Sequence, residues 1–229
     1  MKRILKLVFI KIPLYYIFIS VLYVIVLKYI PVWTTPLMWK RAVEYSGDSS
    51  YKPEKQWVPL SKISPAMIKC VIASEDNRFA EHHGFDWNEL EKMKKEHEDK
   101  GKKIRGCSTI SQQTAKNVFT FGTHSFFRKV FEAWHTVLIE AFWGKERIME
   151  VYLNVVETGK GVYGVEAASQ HYFDVPAIRL TLGQSALIAA SLPNPLHRNP
   201  AKPTKYMISR KNAIMSLTRQ IAYPAWVMM

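Results

Sequence analysis

An apolar stretch near the N-terminus restricts the folds open to this chain more than any other feature. Residues 12–27 carry no charged side chain, and the apolar character continues to about Trp33 because Lys28 can extend its ammonium group towards a membrane surface. About 20 apolar residues are enough to cross a bilayer, whereas a core helix of a soluble domain is rarely apolar on every face. The sequence therefore predicts a transmembrane helix over residues 12–33, followed by one folded domain.

The residues that flank this helix predict its orientation. Residues 1–11 contain four basic side chains, so the positive-inside rule predicts a cytoplasmic basic tail and export of everything after the helix. A cleaved signal peptide is the alternative, but residues 29–33 are bulky where a cleavage site needs small ones. We expect an uncleaved single-pass signal anchor, a polar linker or lead-in over residues 34–63, and the domain over residues 64–229.

Charge and cysteine content narrow the choice of partner. The formal net charge of +13 indicates an anionic partner. An exported domain rarely meets nucleic acid, so we expect none, and lipid headgroups or pyrophosphates are the favoured anions. Cys70 and Cys107 are too few for a disulfide-rich framework, and they could form one bridge or stay as two free thiols.

Helical periodicity dominates the exported part, which is therefore predicted to be mainly α. Ser64 as N-cap and Pro65 at the first helical position begin a helix that extends to about Phe79. Thr181 and Gln184 have the spacing of a capping box at the start of another helix. A further stripe of apolar residues with helical spacing consists of Phe127, Val130, Phe131, Trp134, Val137, Leu138, Ala141 and Phe142.

Glu75 is the strongest candidate for a catalytic residue. It lies seven residues after Ile68, which puts it on the buried face of its helix. Burial raises the pKa of a carboxyl group and suits it to proton transfer near neutral pH. The alternative is an ordinary acidic helix end, in which Glu75 turns outwards or pairs with Arg78. The catalytic interpretation is favoured by the residues that follow at close spacing, Asp76, Phe79, His82 and Gly84.

Two further polar segments could bind an anion. Residues 106–117 combine small residues, hydroxyls, amides and the ammonium group of Lys116, although the same pattern also suits an ordinary helix start. Arg128, Lys129 and Glu132 form either a surface Arg–Glu pair or an acidic group held beside two cations. Residues 145–154 predict a core helix rather than a site.

Five motifs in order along the chain resemble those of the glycosyltransferase family that polymerises peptidoglycan. That family includes the monofunctional biosynthetic transglycosylases and the glycosyltransferase domain of class A penicillin-binding proteins. The matching residues are Glu75, Asp76, Phe79, His82 and Gly84; Gly106, Ser108, Thr109, Ile110, Gln112, Gln113, Lys116 and Asn117; Arg128, Lys129 and Glu132; residues 145–154; and residues 164–168 with Tyr172 and Phe173. Cys107 departs from the Gly or Ala usual in the family. No acyl-enzyme signature follows, so the chain resembles the monofunctional type.

The resemblance implies a lysozyme-like glycosyltransferase domain that polymerises lipid II into β-1,4 glycan strands and releases undecaprenyl pyrophosphate. It implies catalytic roles for Glu75, as general base, and for Glu132, which either binds a divalent cation such as Mg²⁺ or Mn²⁺ or orients the basic groups; no organic cofactor is implied. The residues implied to bind substrate or pyrophosphate are Asp76, Phe79, His82, Ser108, Thr109, Gln112, Gln113, Lys116, Asn117, Arg128 and Lys129.

The resemblance also implies a location and partners. The anchor would lie in the cell inner (cytoplasmic) membrane with the domain on the periplasmic side. The partners would be lipid II, the lipid-linked glycan strand, the membrane, and cell-wall synthesis or division proteins. The phenylalanine-rich residues 118–127 would then either pack in the core or dip into the outer leaflet.

Two other functions are compatible with parts of this pattern. A lysozyme-like lytic enzyme also needs a buried Glu, but it has no use for Lys116, Arg128 and Lys129. A membrane-tethered binding scaffold would need neither Glu75 nor Glu132 intact. Both carboxylates and all three cations are present, which favours the synthetic enzyme.

Overall fold

The structure, a computed structural model, describes residues 10–101, 108–121 and 125–228. Most of the basic tail, the motif residues Gly106 and Cys107, and residues 122–124 lie outside the described residues. The described part contains eleven α-helices: α1 (Ile12–Tyr29), α2 (Pro36–Glu44), α3 (Pro65–Glu75), α4 (Trp87–Lys100), α5 (Ile110–Phe119), α6 (Phe126–Phe142), α7 (Gly144–Val155), α8 (Val165–Phe173), α9 (Leu182–Ser191), α10 (Lys205–Leu217) and α11 (Ala225–Met228). The predicted mainly α class is confirmed.

Three short strands form one small sheet in the described part of the chain. They are β1 (Glu54–Lys55), β2 (Glu157–Gly159) and β3 (Val162–Tyr163), in the order β1-β3-β2. β1 pairs with β3 in parallel, with Glu54 opposite Val162, and β2 pairs with β3 in antiparallel fashion. The sheet ties residues before α3 to the connection between α7 and α8.

Helix α1 lies against the domain along one narrow strip. It is the single helix in the described part that is long and apolar enough to cross a membrane. Its buried residues are Ser20, Val24 and Leu27, spaced at three to four residues as expected for one helical face. Trp134 Nε1 donates to Ser20 Oγ (3.0 Å), and Trp143 Nε1 donates to the Val24 carbonyl (2.7 Å). The other faces of α1 are exposed and apolar, as bilayer contact requires.

The segment between α1 and α3 contains regular structure. Thr35 caps α2 by accepting from the Met38 N–H (3.3 Å), and Pro36 occupies the first turn. Arg41 on α2 donates through Nε and Nη2 to the two carboxylate oxygens of Glu157, at 2.8 and 3.0 Å. This two-bond pair fastens α2 to the sheet, so the segment is in direct contact with the domain.

Helix α3 crosses the centre of the core and packs against α9 and α10. The Ser64 hydroxyl accepts from the Ala66 N–H (3.3 Å), which confirms the predicted cap. The predicted extension to Phe79 is wrong: α3 ends at Glu75, because Asp76 leaves the helical conformation with φ −164° and ψ 77°. Cys70 on α3 is a free, buried thiol, and burial raises its pKa to about 12.

Helix α6 has the predicted helical periodicity, but much of its apolar stripe does not face the core. The exposed residues of this stripe are Phe127, Val130, Phe131 and Val137. The Phe127 side chain is 73% exposed to solvent. The buried residues of α6 are Glu132, His135, Thr136, Leu138 and Ile139. Polar groups thus lie on the inner side of this helix, whereas its outer side continues the apolar surface of α1.

Candidate active site

Glu75 lies at the C-terminal end of α3, on the wall of an open cleft. The cleft encloses about 380 Å³. Its described lining residues are Ser74, Glu75, Ser108, Gln113, Pro193, Tyr206 and Arg210. The lining comes from the end of α3, the start of α5, the segment after α9, and α10, so four separate stretches of the chain meet at this carboxylate.

The Glu75 carboxylate is half-buried and held by two hydrogen bonds. Gln113 Nε2 donates to Glu75 Oε2 and Ser74 Oγ donates to Glu75 Oε1, both at 3.2 Å. Burial, the largest influence, raises the pKa of Glu75, while the bonds from Gln113 and Ser74 and the charge of Arg210 act in the opposite direction. A carboxyl group with a raised pKa and a cleft in front of it is suited to accept a proton.

A buried tyrosine sets the orientation of the Gln113 amide. The Tyr152 hydroxyl donates to Gln113 Oε1 (3.2 Å), and complete burial raises the pKa of Tyr152 well above its usual value, so the phenol stays protonated. Because Oε1 is engaged by this donor, the amide nitrogen faces Glu75. Tyr152 lies in the segment predicted to be a core helix, and its contact with Gln113 gives that helix a direct link to the site.

Asp76 and His82 form the buried support beneath Glu75. His82 Nδ1 accepts from the Gly84 N–H (3.1 Å), so the proton of the neutral ring is on Nε2, which donates to both Asp76 carboxylate oxygens at 2.9 and 3.0 Å. Asp76 Oδ2 also accepts from the Ile110 N–H (3.0 Å) at the first turn of α5. A carboxylate at a helix N-terminus is stabilised by the helix dipole. Asp76 therefore joins the end of α3 to the start of α5.

Thr109 and Gln112 complete the junction as a capping box. Thr109 Oγ1 accepts from the Gln112 N–H, and Gln112 Oε1 accepts from the Thr109 N–H, each at 3.1 Å. The Thr109 hydroxyl also donates to the Gly84 carbonyl (2.7 Å). Phe79, His82, Thr109 and Gln112 are all buried. Their contacts support a role in positioning the cleft, and their assignment to substrate binding stays a prediction.

Helix α5 links Glu75 to a cationic region. Lys116 and Asn117 follow Gln113 by three and four residues, so they lie one turn further along the same face. The Lys116 side chain is exposed, and among the described residues it has no ion-pair partner. It is therefore available to an anion bound beyond the Glu75 end of the cleft.

Arg128, Lys129 and Glu132 form the predicted charged cluster on α6. The Glu132 carboxylate is buried, and each of its oxygens accepts from one cation, Arg128 Nη1 and Lys129 Nζ. The Lys129 side chain is half exposed, so this cation also faces outwards. Of the two interpretations offered by the sequence, the structure shows an acidic group held beside two cations rather than a surface pair.

Glu132 provides a poor donor set for a metal ion held by protein alone. Both of its oxygens already accept hydrogen bonds from cations, and a divalent ion prefers several oxygen ligands. In the described part of the chain, no group of three or more His, Cys, Asp or Glu side chains could hold a metal ion. A requirement for Mg²⁺ or Mn²⁺ stays a prediction.

Several residues of the site were not predicted from the sequence. Pro193, Tyr206 and Arg210 line the cleft although they lie about 120 to 135 positions after Glu75 in the chain. Glu140 accepts from Ser111 Oγ (2.5 Å) and from Lys145 Nζ (2.7 Å) beneath the site. No local spacing signals such long-range contacts, since they depend on how distant segments of the chain pack together.

A helical domain joined to a candidate membrane anchor, with a half-buried carboxylate in a cleft and a cluster of cations on α6, has the features of a membrane-bound enzyme that acts on an anionic substrate. The comparison with known families agrees. The sequence model of the Transglycosylase family matches residues 43–219. The chain belongs to this family, that of the peptidoglycan glycosyltransferases.

Individual relatives cover most of the chain. A biosynthetic peptidoglycan transglycosylase from Bacteroides thetaiotaomicron is 54% identical over 202 residues, which cover 86% of this chain and 80% of the relative. The protein of the same name from Caulobacter vibrioides is 53% identical over 195 residues, covering 85% of this chain and 82% of the relative. The recognition of the family from its five motifs is confirmed.

Proposed function

We propose that this protein polymerises lipid II into β-1,4 glycan strands for the cell wall, with Glu75 as the general base. The observation that carries the proposal is the half-buried Glu75 carboxylate in an open cleft, held by Gln113 on the same helix that presents Lys116. The family and its relatives supply the reaction class.

The reaction is a single displacement. Glu75 removes the proton from the 4-hydroxyl of the acceptor sugar, and that oxygen attacks the anomeric carbon of the donor. The bond from this carbon to the pyrophosphate oxygen breaks, and undecaprenyl pyrophosphate leaves with the electron pair. Inversion from an α-linked pyrophosphate to a β-1,4 bond requires one displacement, so no covalent glycosyl-enzyme is needed.

Lys116, Arg128 and Lys129 are proposed to bind the leaving pyrophosphate. Charge builds up on its oxygens as the bond breaks, and fixed cations stabilise that charge most in a partly desolvated site. Glu132 holds Arg128 and Lys129 in place through its two hydrogen bonds. A divalent cation such as Mg²⁺ or Mn²⁺, if it takes part, would bring further positive charge to the pyrophosphate, and its ligands would include the phosphate oxygens.

The location follows from the anchor. We propose that α1 crosses the cell inner membrane once with residues 1–11 in the cytoplasm, which puts the cleft on the periplasmic side where lipid II is displayed. The apolar surface formed by α1 and the outer side of α6 would meet the hydrocarbon. Cell-wall synthesis or division proteins are the expected protein partners.

The proposed role of Glu75 is tested by Glu75→Gln in detergent or liposomes with lipid II as the only substrate. Loss of a general base typically costs about 10²- to 10⁴-fold in rate. The matched control is Glu81→Gln, because Glu81 is an exposed carboxylate in the same region that pairs only with Arg78 among the described residues. We expect the control to polymerise at the parent rate.

The outcomes separate the competing functions. Polymer from lipid II that depends on Glu75 supports the proposal. Soluble fragments released from finished sacculi would indicate a lytic enzyme instead, and tight binding of lipid II without any turnover would indicate a scaffold. A Glu75→Gln variant as fast as the parent protein would remove the proposed role of this residue.

A further inference from the structure

Arg210 is the one cation among the described residues that line the Glu75 cleft. It lies on α10, which packs against α3 and α9. Its side chain is only partly exposed, and Nη2 donates to the carbonyl oxygen of Ser74 at 3.3 Å. No motif singled out in the sequence contains Arg210, and the mechanism above does not use it.

The contact between Arg210 and Ser74 is significant because the Ser74 carbonyl lies at the C-terminal end of α3. Ser74 immediately precedes Glu75, so its carbonyl belongs to the last turn of α3, where backbone oxygens lack intrahelical partners. The C-terminal end of a helix carries the equivalent of roughly half a negative charge, which disfavours a second negative charge at the same place. Glu75 is a carboxylate at this unfavourable end, and Asp76 adds a further negative charge beside it.

We propose that Arg210 is a positioning residue for Glu75: fastened to the Ser74 carbonyl, it offsets the negative end of α3 and keeps the neighbouring carboxylate charged and directed into the cleft. This inference rests on the proposed role of Glu75 as general base. Arg210 acts through Glu75, and the reaction described above assigns it no bond to the substrate.

The interactions that raise and lower the pKa of Glu75 agree with this geometry. Burial and the charge of Asp76 raise its pKa, whereas the hydrogen bonds from Gln113 and Ser74 and the positive charge of Arg210 lower it. A base works only in its deprotonated form, so a higher pKa removes active enzyme at neutral and acidic pH. Without Arg210, the deprotonated fraction of Glu75 should be lower than in the parent protein at low pH and equal to it at high pH.

The test is the pH dependence of kcat/KM for lipid II polymerisation by the full-length protein, with kcat and KM determined separately at each pH. For Arg210→Gln we expect the acidic limb to move up by about one pH unit, the lower end of the effect of an adjacent opposite charge. This lowers the rate about tenfold on the acidic limb. At a pH well above the limb, the variant should come within about twofold of the parent protein. Arg210→Lys keeps the positive charge, so its acidic limb should lie close to that of the parent protein.

The matched control is Arg219→Gln, which removes the same charge from an exposed position beyond the end of α10. We expect its profile to coincide with that of the parent protein. If Arg210→Gln does not fold, as judged by thermal unfolding, Arg210→Met takes its place because it keeps the aliphatic packing.

Two results would overturn the inference. One is a parallel loss of rate at every pH; the other is an unshifted limb with a raised KM, which would make Arg210 a substrate-binding residue. Failure of the proposed function looks different: the parent protein would then make no polymer, or Glu75→Gln would retain the parent rate.

Discussion

Among single residues, Glu75, the proposed general base, opposes the stability of the fold. Its pKa is raised by burial, so the folded state binds a proton more tightly than the unfolded chain does. Stability contributed by such a group is present at low pH and is lost as the pH rises from the unfolded pKa, about 4.3, through the folded pKa. The charged form of Glu75 therefore destabilises the fold at neutral pH.

This linkage predicts that Glu75→Gln unfolds at a higher temperature than the parent protein at pH 7 to 8. The Gln side chain can still accept the hydrogen bond from Gln113, but it carries no charge to desolvate. The difference in melting temperature should shrink towards zero as the pH falls below the unfolded pKa of about 4.3, because Glu75 then becomes neutral in both states. Thermal unfolding in detergent across this pH range measures it, and a less stable variant at pH 7 would contradict the interpretation.

Gly84 is a residue whose backbone leaves no room for a side chain. Its φ of +88° lies in the region that favours glycine, and an added Cβ would come within 2.8 Å of Thr136 Cγ2 and 3.1 Å of Glu140 Cγ. Strain of this kind costs about 1–3 kcal/mol. We expect Gly84→Ala to lower the free energy of unfolding by that amount or more and to disturb the Thr109 junction.

Gly183 provides the control for the same replacement. It lies in the first turn of α9, and an added Cβ would meet nothing within 4 Å. Because Ala is preferred to Gly in a helix by about 0.5–1 kcal/mol, Gly183→Ala should be neutral or stabilising. Denaturant unfolding of both variants measures the contrast, and equal effects would show that the space around Gly84 is more adaptable than the structure indicates.

At the scale of elements, α2 is held by a buried charge pair. Glu157 is 7% exposed, and Arg41 donates two hydrogen bonds to it. Removal of one partner of a buried pair leaves an uncompensated charge and costs about 3–5 kcal/mol. Because Arg41 retains some solvent contact, we expect Arg41→Met to destabilise the protein by about 3 kcal/mol, at the lower end of this range.

The neighbouring Lys40 serves as the control for this pair. It forms an exposed ion pair with Glu44 (3.4 Å), and surface pairs contribute about 0–1 kcal/mol. Lys40→Met should therefore change the unfolding free energy little, and Glu157→Gln in the Arg41→Met background should restore part of the loss. If Lys40→Met and Arg41→Met cost the same, α2 is not held through Glu157.

The helices also show which features of the structure can be predicted from the sequence alone. The caps at Ser64 and Thr181 were predictable because a cap depends on residues within three positions of one another. The site was partly predictable for the same reason, since Glu75, Gln113 and Glu132 fall in compact motifs. Which side of α6 faces the interior was not predictable from the sequence, because burial of Glu132 and His135 depends on which other helices pack there. Arg210 reaches Ser74 across 136 positions, and no local pattern encodes that contact.

Across the protein as a whole, the anchor α1 and the catalytic domain are in direct contact with each other. Arg147 Nη2 donates to the carbonyls of Leu27 and Ile30, at 2.7 and 2.5 Å, and Lys55 Nζ donates to the Val32 carbonyl (2.6 Å). These cations satisfy backbone oxygens at the end of α1 that would otherwise lack partners. Burial lowers the pKa of Lys55 to about 8, which fits its position inside this junction.

The contacts between α1 and α6 also determine how deep the domain lies. Tyr16 contacts the ring of Phe131 at 5.3 Å between centroids, and Trp134 bonds to Ser20. Tyr16 lies eleven residues before Leu27, a distance of roughly 16 Å along a helix. The exposed Phe126 and Phe127 at the start of α6 therefore lie beside the apolar surface of α1, and we expect them to contact the membrane together with it.

This placement predicts that the protein binds membranes through α6 as well as through α1. A chain of residues 30–229 should still float with liposomes, and Phe126→Ser with Phe127→Ser should release most of it, because each buried aromatic side chain contributes about 1.5–3 kcal/mol. The control is Ile178→Ser with Ile208→Ser, which removes two apolar side chains that are exposed elsewhere on the domain. That double variant should stay bound. A truncated chain that remains in solution before any substitution would show that α1 alone holds the enzyme at the membrane.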